Sequence, residues 1–217
     1  DACSKPLPLE IALSIMANEG PRVQEIVQLL DWHVEPDHYV MVLERPVPFE
    51  ELNWFLLQNM GTIKEEVAYV IMRQTIIAAQ TCCRRGVLHR DINPENVLIN
   101  PDTLKVKLMG FGCGAVLSNL DYKSFTGMYD PSQLEYCPPE FFMTGKYHGE
   151  PATVWSLGIL LFVMLCGDFP QRRDMCKIKD NTWTKDGLSG ECCDFIRRCL
   201  QIDPKQRIEL ENLSLHD

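Results

Sequence analysis

"VLHRDINPENVLINPDTLKVKLMGFGCG", residues 87–114, places an acid and an amide, Asp91 and Asn96, five residues apart in a loop ahead of an apolar strand. A carboxylate at such a position can accept a hydroxyl proton, and an amide oxygen can bind a hard metal ion. Fourteen residues after Asn96 comes "GFGCG", which begins at Gly110. Chemistry on a phosphate group calls for a second acid near that point, and glycine has no ligand atom.

Ahead of this segment, apolar periodicity predicts one helix, two strands and a second helix. Residues 7–20 have apolar positions near helical spacing and end at a glycine. Residues 26–46 are predicted to form two strands joined by the polar turn "EPDH". Residues 47–61 are predicted to be helical up to their final glycine.

The next predicted element is a long helix in residues 62–86. Thr62, followed three residues later by Glu65, has the spacing of a capping box, and Gly86 is a C-terminal stop signal. We therefore expect this helix to run from one loop to the next without interruption.

The second half of the chain is predicted to be mostly helical. Residues 96–109 carry two short apolar runs joined by "PDT", which predicts a hairpin. Residues 110–140 lack a strong period and are expected to form a long loop, and loops of that length are usually functional. Helices are predicted around residues 155–166 and 190–203. Short strands followed by many helices indicate an α+β class.

Composition restricts the functional classes. The chain has 217 residues, a net charge of -9 and ten cysteines without a C-x-x-C pair. An acidic protein lacks the basic face that a nucleic acid needs, and the cysteines are expected to be reduced thiols in the cytoplasm or nucleus. The longest apolar run, residues 154–167, is too short to span a bilayer, so no membrane partner is expected. Because the chain begins at Asp1, without methionine, we expect a fragment or a processed product.

The motifs resemble a known signature in both order and spacing. "HRDINPEN" is followed by "GFG", then by "PPE" at residues 138–140, and then by an apolar "WSLG" helix. This order is similar to the protein-kinase set of catalytic loop, D-F-G and A-P-E. "LLDWHVEPDHYVMVLERPVP", "GVLHRDI", "VWSLGILLF" and "CGDFP" further resemble the Pim-like serine/threonine kinases. A dinucleotide-binding turn at "GFGCG" is the weaker alternative, since the G-x-G-x-x-G spacing is missing.

The resemblance implies a protein-kinase-like α+β fold with a mostly helical C-lobe and an incomplete N-lobe sheet. Residues 1–43 would be a partial N-lobe with helix C and two strands, residues 44–48 the hinge, and residues 49–217 the C-lobe. The Gly-rich loop and the strand lysine of the family would precede Asp1. We expect an open sheet edge and exposed apolar residues in helix C, such as Ile11, Leu13 and Ile15.

The resemblance also implies cofactor and catalytic roles. Asp91 would be the catalytic base, and Asn96 a catalytic residue and magnesium ligand. ATP and Mg²⁺ are the implied cofactors. Pro46 removes a backbone donor from the hinge. The adenine site would be formed by the gatekeeper, the hinge glutamate, the pocket floor and the residue before the glycine, which are Leu43, Glu44, Leu98 and Met109.

Other matched positions imply structural and substrate roles. Glu51 and Glu95 match acids that select basic peptides in the family, although both are equally compatible with a solvated surface, and Trp54 replaces a third acid. The structural residues implied are the helix-C glutamate, a stacked His–Phe pair and a buried ion pair, which are Glu10, His89 with Phe111, and Glu140 with Arg207.

Departures from the family pattern leave two hypotheses about function open. Gly110 replaces the metal-binding aspartate, Asn93 replaces a lysine near the transferred phosphate, and Thr153 stands where most kinases have aspartate. Met128 lies in an extended loop where threonine is expected. One hypothesis is a serine/threonine protein kinase, impaired in this chain, that acts on protein substrates. The other is a pseudokinase that binds partners, in which Asp91 only holds the loop. A monomer located in the cytoplasm or the nucleus is expected in both cases.

Overall fold

A computed structural model describes residues 6–125 and 134–215, so the expectation for Met128 lies outside the described residues. The α+β class is confirmed, because short antiparallel strands are followed by a mostly helical region. The helices are α1 (Leu9–Asn18), α2 (Leu52–Gln58), α3 (Glu65–Arg84), α4 (Pro139–Thr144), α5 (Gly149–Cys166), α6 (Arg172–Lys179) and α7 (Gly190–Cys199). Short 3-10 turns occupy Phe111–Cys113, Pro204–Gln206 and Leu210–Leu215.

Within the described residues, the strands form three small antiparallel sheets. The first is a hairpin of β1 (Leu29–Val34) and β2 (Tyr39–Leu43). The second has β5 (Val97–Ile99) between β3 (Glu50–Glu51) and β6 (Val106–Leu108). The third pairs β4 (Val87–Leu88) with β7 (Ala115–Val116). The predicted hairpin over residues 96–109 is therefore confirmed as β5–β6.

Helix α5 is the centre of the core, because it is apolar around its whole circumference. It packs against α3 and α7. A Cβ atom at Gly158 would lie 2.7 Å from the Cβ of Cys199, so only glycine allows α7 to approach this closely. Of the described helices, α5 alone is long and apolar enough to cross a bilayer, but 78% of it is buried inside the protein. Helix α5 is therefore a buried core helix.

Two local predictions about helix starts are wrong. Helix α3 begins after Lys64 without a side-chain cap, so Thr62 and Glu65 do not form a capping box. The Glu65 carboxylate instead accepts hydrogen bonds from the backbone N–H of Ser189, at 2.8 Å, and from its hydroxyl. The helix predicted from residue 47 begins only at Leu52, because Glu50 and Glu51 pair with β5.

The expected exposure of helix C is also wrong. Ile11 and Leu13 are both 0% exposed, and Ile15 is partly buried. Helix α1 packs against Phe111–Cys113, β4, β7 and α3, and these contacts bury its apolar side without help from a larger sheet.

The exposed apolar surface lies on the β1–β2 hairpin instead. Leu30 and Val42 are 62% and 47% exposed, and Trp32, Val34, Tyr39 and Val40 are exposed as well. Side chains on both faces of this two-stranded sheet therefore contact solvent. Isolated hairpins of this kind are marginally stable in water, and an open apolar edge promotes association.

Replacing Leu30 and Val42 together by lysine should reduce aggregation at high protein concentration and leave the free energy of unfolding within about 0.5 kcal/mol of the parent, because both side chains are exposed. Light scattering and urea denaturation measure the two effects. Leu108→Lys is the matched control: its side chain is fully buried, so the same change should unfold the protein. Unchanged aggregation in the double variant would contradict this account of the hairpin.

A buried ion pair fixes the end of the long loop to the C-terminal region. Arg207 Nη1 donates to Glu140 Oε1 at 2.8 Å and to the carbonyl of Pro151 at 3.0 Å. The Arg207 guanidinium also lies 4.9 Å from the centre of the Trp155 ring. Since both charged side chains are buried, each compensates the other.

Glu140→Gln should destabilise the fold by about 3–5 kcal/mol, because it leaves the buried Arg207 guanidinium without a counter-ion. Guanidinium chloride denaturation monitored by tryptophan fluorescence gives the value. Asp121→Asn serves as the control, since the Asp121–Lys146 pair is more exposed and its loss should leave the free energy of unfolding almost unchanged. Equal losses in the two variants would contradict the burial argument.

Candidate active site

Arg90 holds the loop after β4 against the segment that follows Gly110. Its backbone φ is +65°, which turns the chain sharply after His89. The guanidinium donates to the carbonyls of Cys113 at 2.7 Å, Gly114 at 3.1 Å and Ser124 at 3.2 Å. These bonds satisfy backbone acceptors that no sheet pairs, and they position Asp91 beside the glycine-rich segment.

His89 and Phe111 are both buried and their ring centres are 5.0 Å apart. His89 Nε2 lies 2.9 Å from the Met109 carbonyl, and Nδ1 accepts from the Asp91 N–H at 3.2 Å. Burial lowers the pKa of His89 below its ordinary value. A neutral imidazole that donates from Nε2 satisfies both contacts, so His89 is a packed structural residue.

The Asp91 carboxylate is held by two amide side chains. Asn93 Nδ2 donates to Oδ1 at 2.8 Å, and Asn96 Nδ2 donates to Oδ2 at 2.8 Å and to the Asp91 carbonyl at 2.8 Å. Asn93 Oδ1 in turn accepts from the backbone N–H of Glu95 at 2.8 Å. Asn93, where the kinase pattern has a cation, is therefore a neutral and buried brace for the acid.

The side chain of Asn96 occupies the space that a second acid at position 110 would need. The φ of Gly110 is +83°, and a Cβ atom built on this glycine would lie 2.4 Å from Asn96 Oδ1. An aspartate here would force the Asn96 side chain to move. Sequence analysis identified the missing ligand atom at Gly110 but not this contact, which depends on the rotamer of Asn96.

The oxygen donors near Gly110 do not fit a magnesium ion. Mg²⁺ prefers octahedral oxygen coordination with one or two carboxylates. Among the described residues, no group of three or more His, Cys, Asp and Glu side chains could hold a metal. Asn96 Oδ1 faces Gly110, and both Asp91 oxygens accept amide hydrogens. The donor set beside Gly110 therefore consists of a single amide oxygen.

Glu10, in α1, accepts a hydrogen bond from the hydroxyl group of a tyrosine. Tyr39 donates its hydroxyl proton to Glu10 Oε2 at 2.7 Å. This hydrogen bond, together with burial and the carboxylate charge, raises the pKa of Tyr39 above its ordinary value. The Glu10 carboxylate carbon would lie 3.5 Å from a Cβ built on Gly112, so α1 is packed close to the glycine-rich segment.

Comparison with known proteins agrees with this geometry. The family model described as "Protein kinase domain" matches residues 9–217. The chain belongs to the protein kinase family. It is 37% identical to the Serine/threonine-protein kinase pim-2 of Danio rerio over 97% of this chain and 68% of that protein. It is also 36% identical to the Serine/threonine-protein kinase prk-2 of Caenorhabditis elegans, over 97% of this chain and 46% of that protein. The chain thus spans about half to two thirds of these kinases.

In this kinase domain, an ion pair joins the expected hinge to the sheet formed by β3, β5 and β6. Glu44 accepts from Lys107 Nζ at 2.7 Å, from Arg22 at 3.1 Å and from the Gln28 N–H at 3.0 Å. Lys107 also donates to the Gln24 carbonyl at 2.7 Å. Sequence analysis missed this role of Lys107, although a lysine inside an apolar strand is a signal for a buried charge pair.

The residues expected around adenine lie near this pair. Leu98, in β5, is opposite Lys107 in the β5–β6 register, and Met109 donates its N–H to the Asn96 carbonyl at 2.9 Å. Leu43 ends β2 and is 37% exposed. The structure therefore links Glu44 and Leu98 through Lys107, while Leu43 is partly exposed to solvent.

The two expected substrate acids both face solvent. Glu51 pairs with Leu98 between β3 and β5, and Glu95 lies in the loop after Asp91. Tyr136, which sequence analysis did not place at the site, is buried edge-on to Phe169 at 5.4 Å. Burial, followed by the charges of Glu95 and Asp91, raises the pKa of Tyr136 above its ordinary value.

The hinge ion pair predicts a specific acid dependence of stability. Burial alone would raise the pKa of Glu44, but hydrogen bonds from Lys107 and Gln28 and the nearby cations outweigh it, so that the pKa lies below its ordinary value. A lowered carboxyl pKa stabilises the fold above the unfolded-state pKa, and that stabilisation is lost as pH falls through the folded-state value.

Glu44→Gln should therefore be less stable than the parent at pH 7, and its stability should fall less as pH drops below about 4.5. Urea denaturation across pH 3–7 measures both differences. Glu35→Gln is the control, because Glu35 pairs only with His33 on the exposed hairpin. Parallel pH curves for the parent and Glu44→Gln would contradict the role of the Lys107 pair.

Proposed function

We propose that this chain is a Pim-like serine/threonine protein kinase domain whose transfer of phosphate from ATP to protein hydroxyl groups is impaired. The observation that carries the proposal is Gly110, which offers no ligand atom and is so close to Asn96 Oδ1 that a Cβ would overlap it. Kinases of this family generally use ATP with Mg²⁺. Phosphoryl transfer depends on positioning and charge neutralisation, so the loss of the metal-binding carboxylate removes a main contribution to lowering the reaction barrier.

The expected deficit is large. A loss of about a thousandfold in turnover corresponds to about 4 kcal/mol of barrier. Asn93 adds to it, because a neutral amide cannot supply the positive charge of a lysine near the transferred phosphate. The hydrogen bonds from Asn93 and Asn96 to both oxygens of Asp91 leave that carboxylate already partnered before a substrate hydroxyl arrives.

What persists is a surface suited to a protein substrate. Asp91 would orient the substrate hydroxyl and accept its proton. Glu51 and Glu95 are exposed acids that would favour basic residues in the peptide. ATP would be held between the hinge at Glu44 and the floor at Leu98. We propose a monomer in the cytoplasm or nucleus, with residues 1–43, 44–48 and 49–217 as N-lobe, hinge and C-lobe.

A second candidate is an inactive kinase domain that serves as a protein-interaction module. The observation in its favour is the exposed apolar surface of the β1–β2 hairpin, together with Trp54 and Leu57, which are exposed on α2. Exposed apolar patches of this kind often mark protein contacts. In this case the helical lobe would be retained for its shape, and Asp91 would only hold its loop.

Nucleotide binding and turnover separate the two candidates. We expect ATP to raise the melting temperature of the chain by the same small amount with and without Mg²⁺, and labelling of a basic peptide with radioactive phosphate to be weak and abolished in Asp91→Ala. No labelling at all, with normal folding, would favour the interaction module.

Gly110→Asp should restore only part of the magnesium dependence, because the new Cβ must first displace Asn96. Aspartate is among the residues that best tolerate positive φ, so the backbone does not forbid the change. Gly145→Asp is a matched control at another glycine with positive φ, far from any close neighbour. A strong magnesium-dependent shift and normal turnover in the parent chain would overturn the proposal of impairment.

A further inference from the structure

A cavity of about 550 Å³ lies between α3 and α7, away from the loop that carries Asp91 and Asn96. Its walls come from one stripe of α3 and from the N-terminal half of α7, and Leu161 of α5 and Leu213 also line it. None of the residues discussed for ATP or peptide lines this space. Its volume falls within the range of about 300–1,000 Å³ that is typical of small-molecule sites.

The walls are apolar, aromatic and sulfur-bearing. Met72, Ile76, Phe195 and Leu213 line the cavity and are almost fully buried. Tyr69, at the rim, is 53% exposed. Burial, followed by the charge of Glu65, raises the pKa of the Cys192 thiol to about 12, so this part of the wall is neutral at physiological pH. Aromatic rings and sulfur atoms favour a ligand that contains a ring.

The charged residues that line the cavity are two acids and one arginine. Glu65 lies at the first turn of α3, where it accepts two hydrogen bonds from Ser189, and Glu191 lies in the first turn of α7. Both acids are therefore at helix N-termini, which stabilise negative charge. Arg73 is eight residues after Glu65, which is about 12 Å along the helix axis. Within the described residues the side chain of Arg73 makes no hydrogen bond or ion pair.

We propose that this cavity binds a small amphipathic anion, a ring-bearing apolar body with one carboxylate that pairs with Arg73. The apolar body lies among Met72, Ile76, Phe195 and Leu213. The exposed end of the arginine supplies the only cation on the cavity lining. Apolar burial provides most of the affinity, and the ion pair selects the sign of the ligand charge.

The test uses three probes with the same ring and different charge, which are 2-naphthylacetate, 2-naphthylethanol and 2-naphthylethylammonium. Titration of protein with ¹³C-labelled methyl groups should give saturable shifts at Met72, Ile76 and Leu213, with unchanged signals from Val42 and Leu30 on the hairpin. We expect the carboxylate to bind about fivefold more tightly than the alcohol, as one partly exposed ion pair allows, and the ammonium to bind least well.

Variants assign the effect to individual residues. Arg73→Gln should weaken the carboxylate about fivefold, to the affinity of the alcohol, and leave the alcohol unchanged. Lys179→Gln is the matched control, because Lys179 is exposed on α6 and does not line the cavity. Cys192→Trp should fill the space and remove binding of all three probes. If that variant does not fold, the exposed Arg73 change still decides the question.

Several outcomes would overturn the proposal. These are tighter binding of the ammonium than of the carboxylate, no effect of Arg73→Gln, and shifts confined to the hairpin methyl groups. Methyl shifts at Met72 and Leu213 that grow with protein concentration in the absence of any probe would show that a second copy of the chain occupies the cavity instead, and they would also refute it.

Discussion

Burial of α5 on all sides is the constraint on which the rest of the structure depends. The first residue of this helix, Gly149, packs against Leu88, since a Cβ there would lie 2.9 Å from Leu88 Cδ2. Leu88 directly precedes the loop that carries His89 and Asp91. Further along α5, Ser156 donates to the Tyr136 carbonyl at 3.3 Å, and Trp155 lies under Arg207. One apolar helix thus positions the catalytic loop, the end of the long loop and the C-terminal region together.

The candidate active site combines a well-ordered loop with an incomplete set of charges. His89, Arg90 and Asn93 place Asp91 by hydrogen bonds to backbone and side chain, and none of these bonds requires a ligand. At Gly110 the side chain of Asn96 occupies the space of the missing acid. The residues that the proposed phosphate transfer would use are therefore held in place, while position 110 carries no carboxylate.

The sequence predicted the features that depend on local pattern. The β5–β6 hairpin follows from alternating apolar residues around "PDT", and α5 follows from an apolar run without interruption. The capping box at Thr62 failed because Ser189, which is distant in sequence, binds the Glu65 carboxylate. Burial of Ile11 and Leu13 was missed for the same reason, since α1 packs on Phe111–Cys113, about a hundred residues later. Lys107 with Glu44, and Asn96 with Gly110, likewise depend on tertiary placement and rotamers.

The ion pair between Glu140 and Arg207 joins residues 67 positions apart. The chain between them contains α5, α6 and α7, so the pair closes a long loop that includes three helices. Closing such a loop costs conformational entropy that the pair repays only when water has been excluded. The pair therefore stabilises the fold only while the packing around it keeps water away from both charged groups.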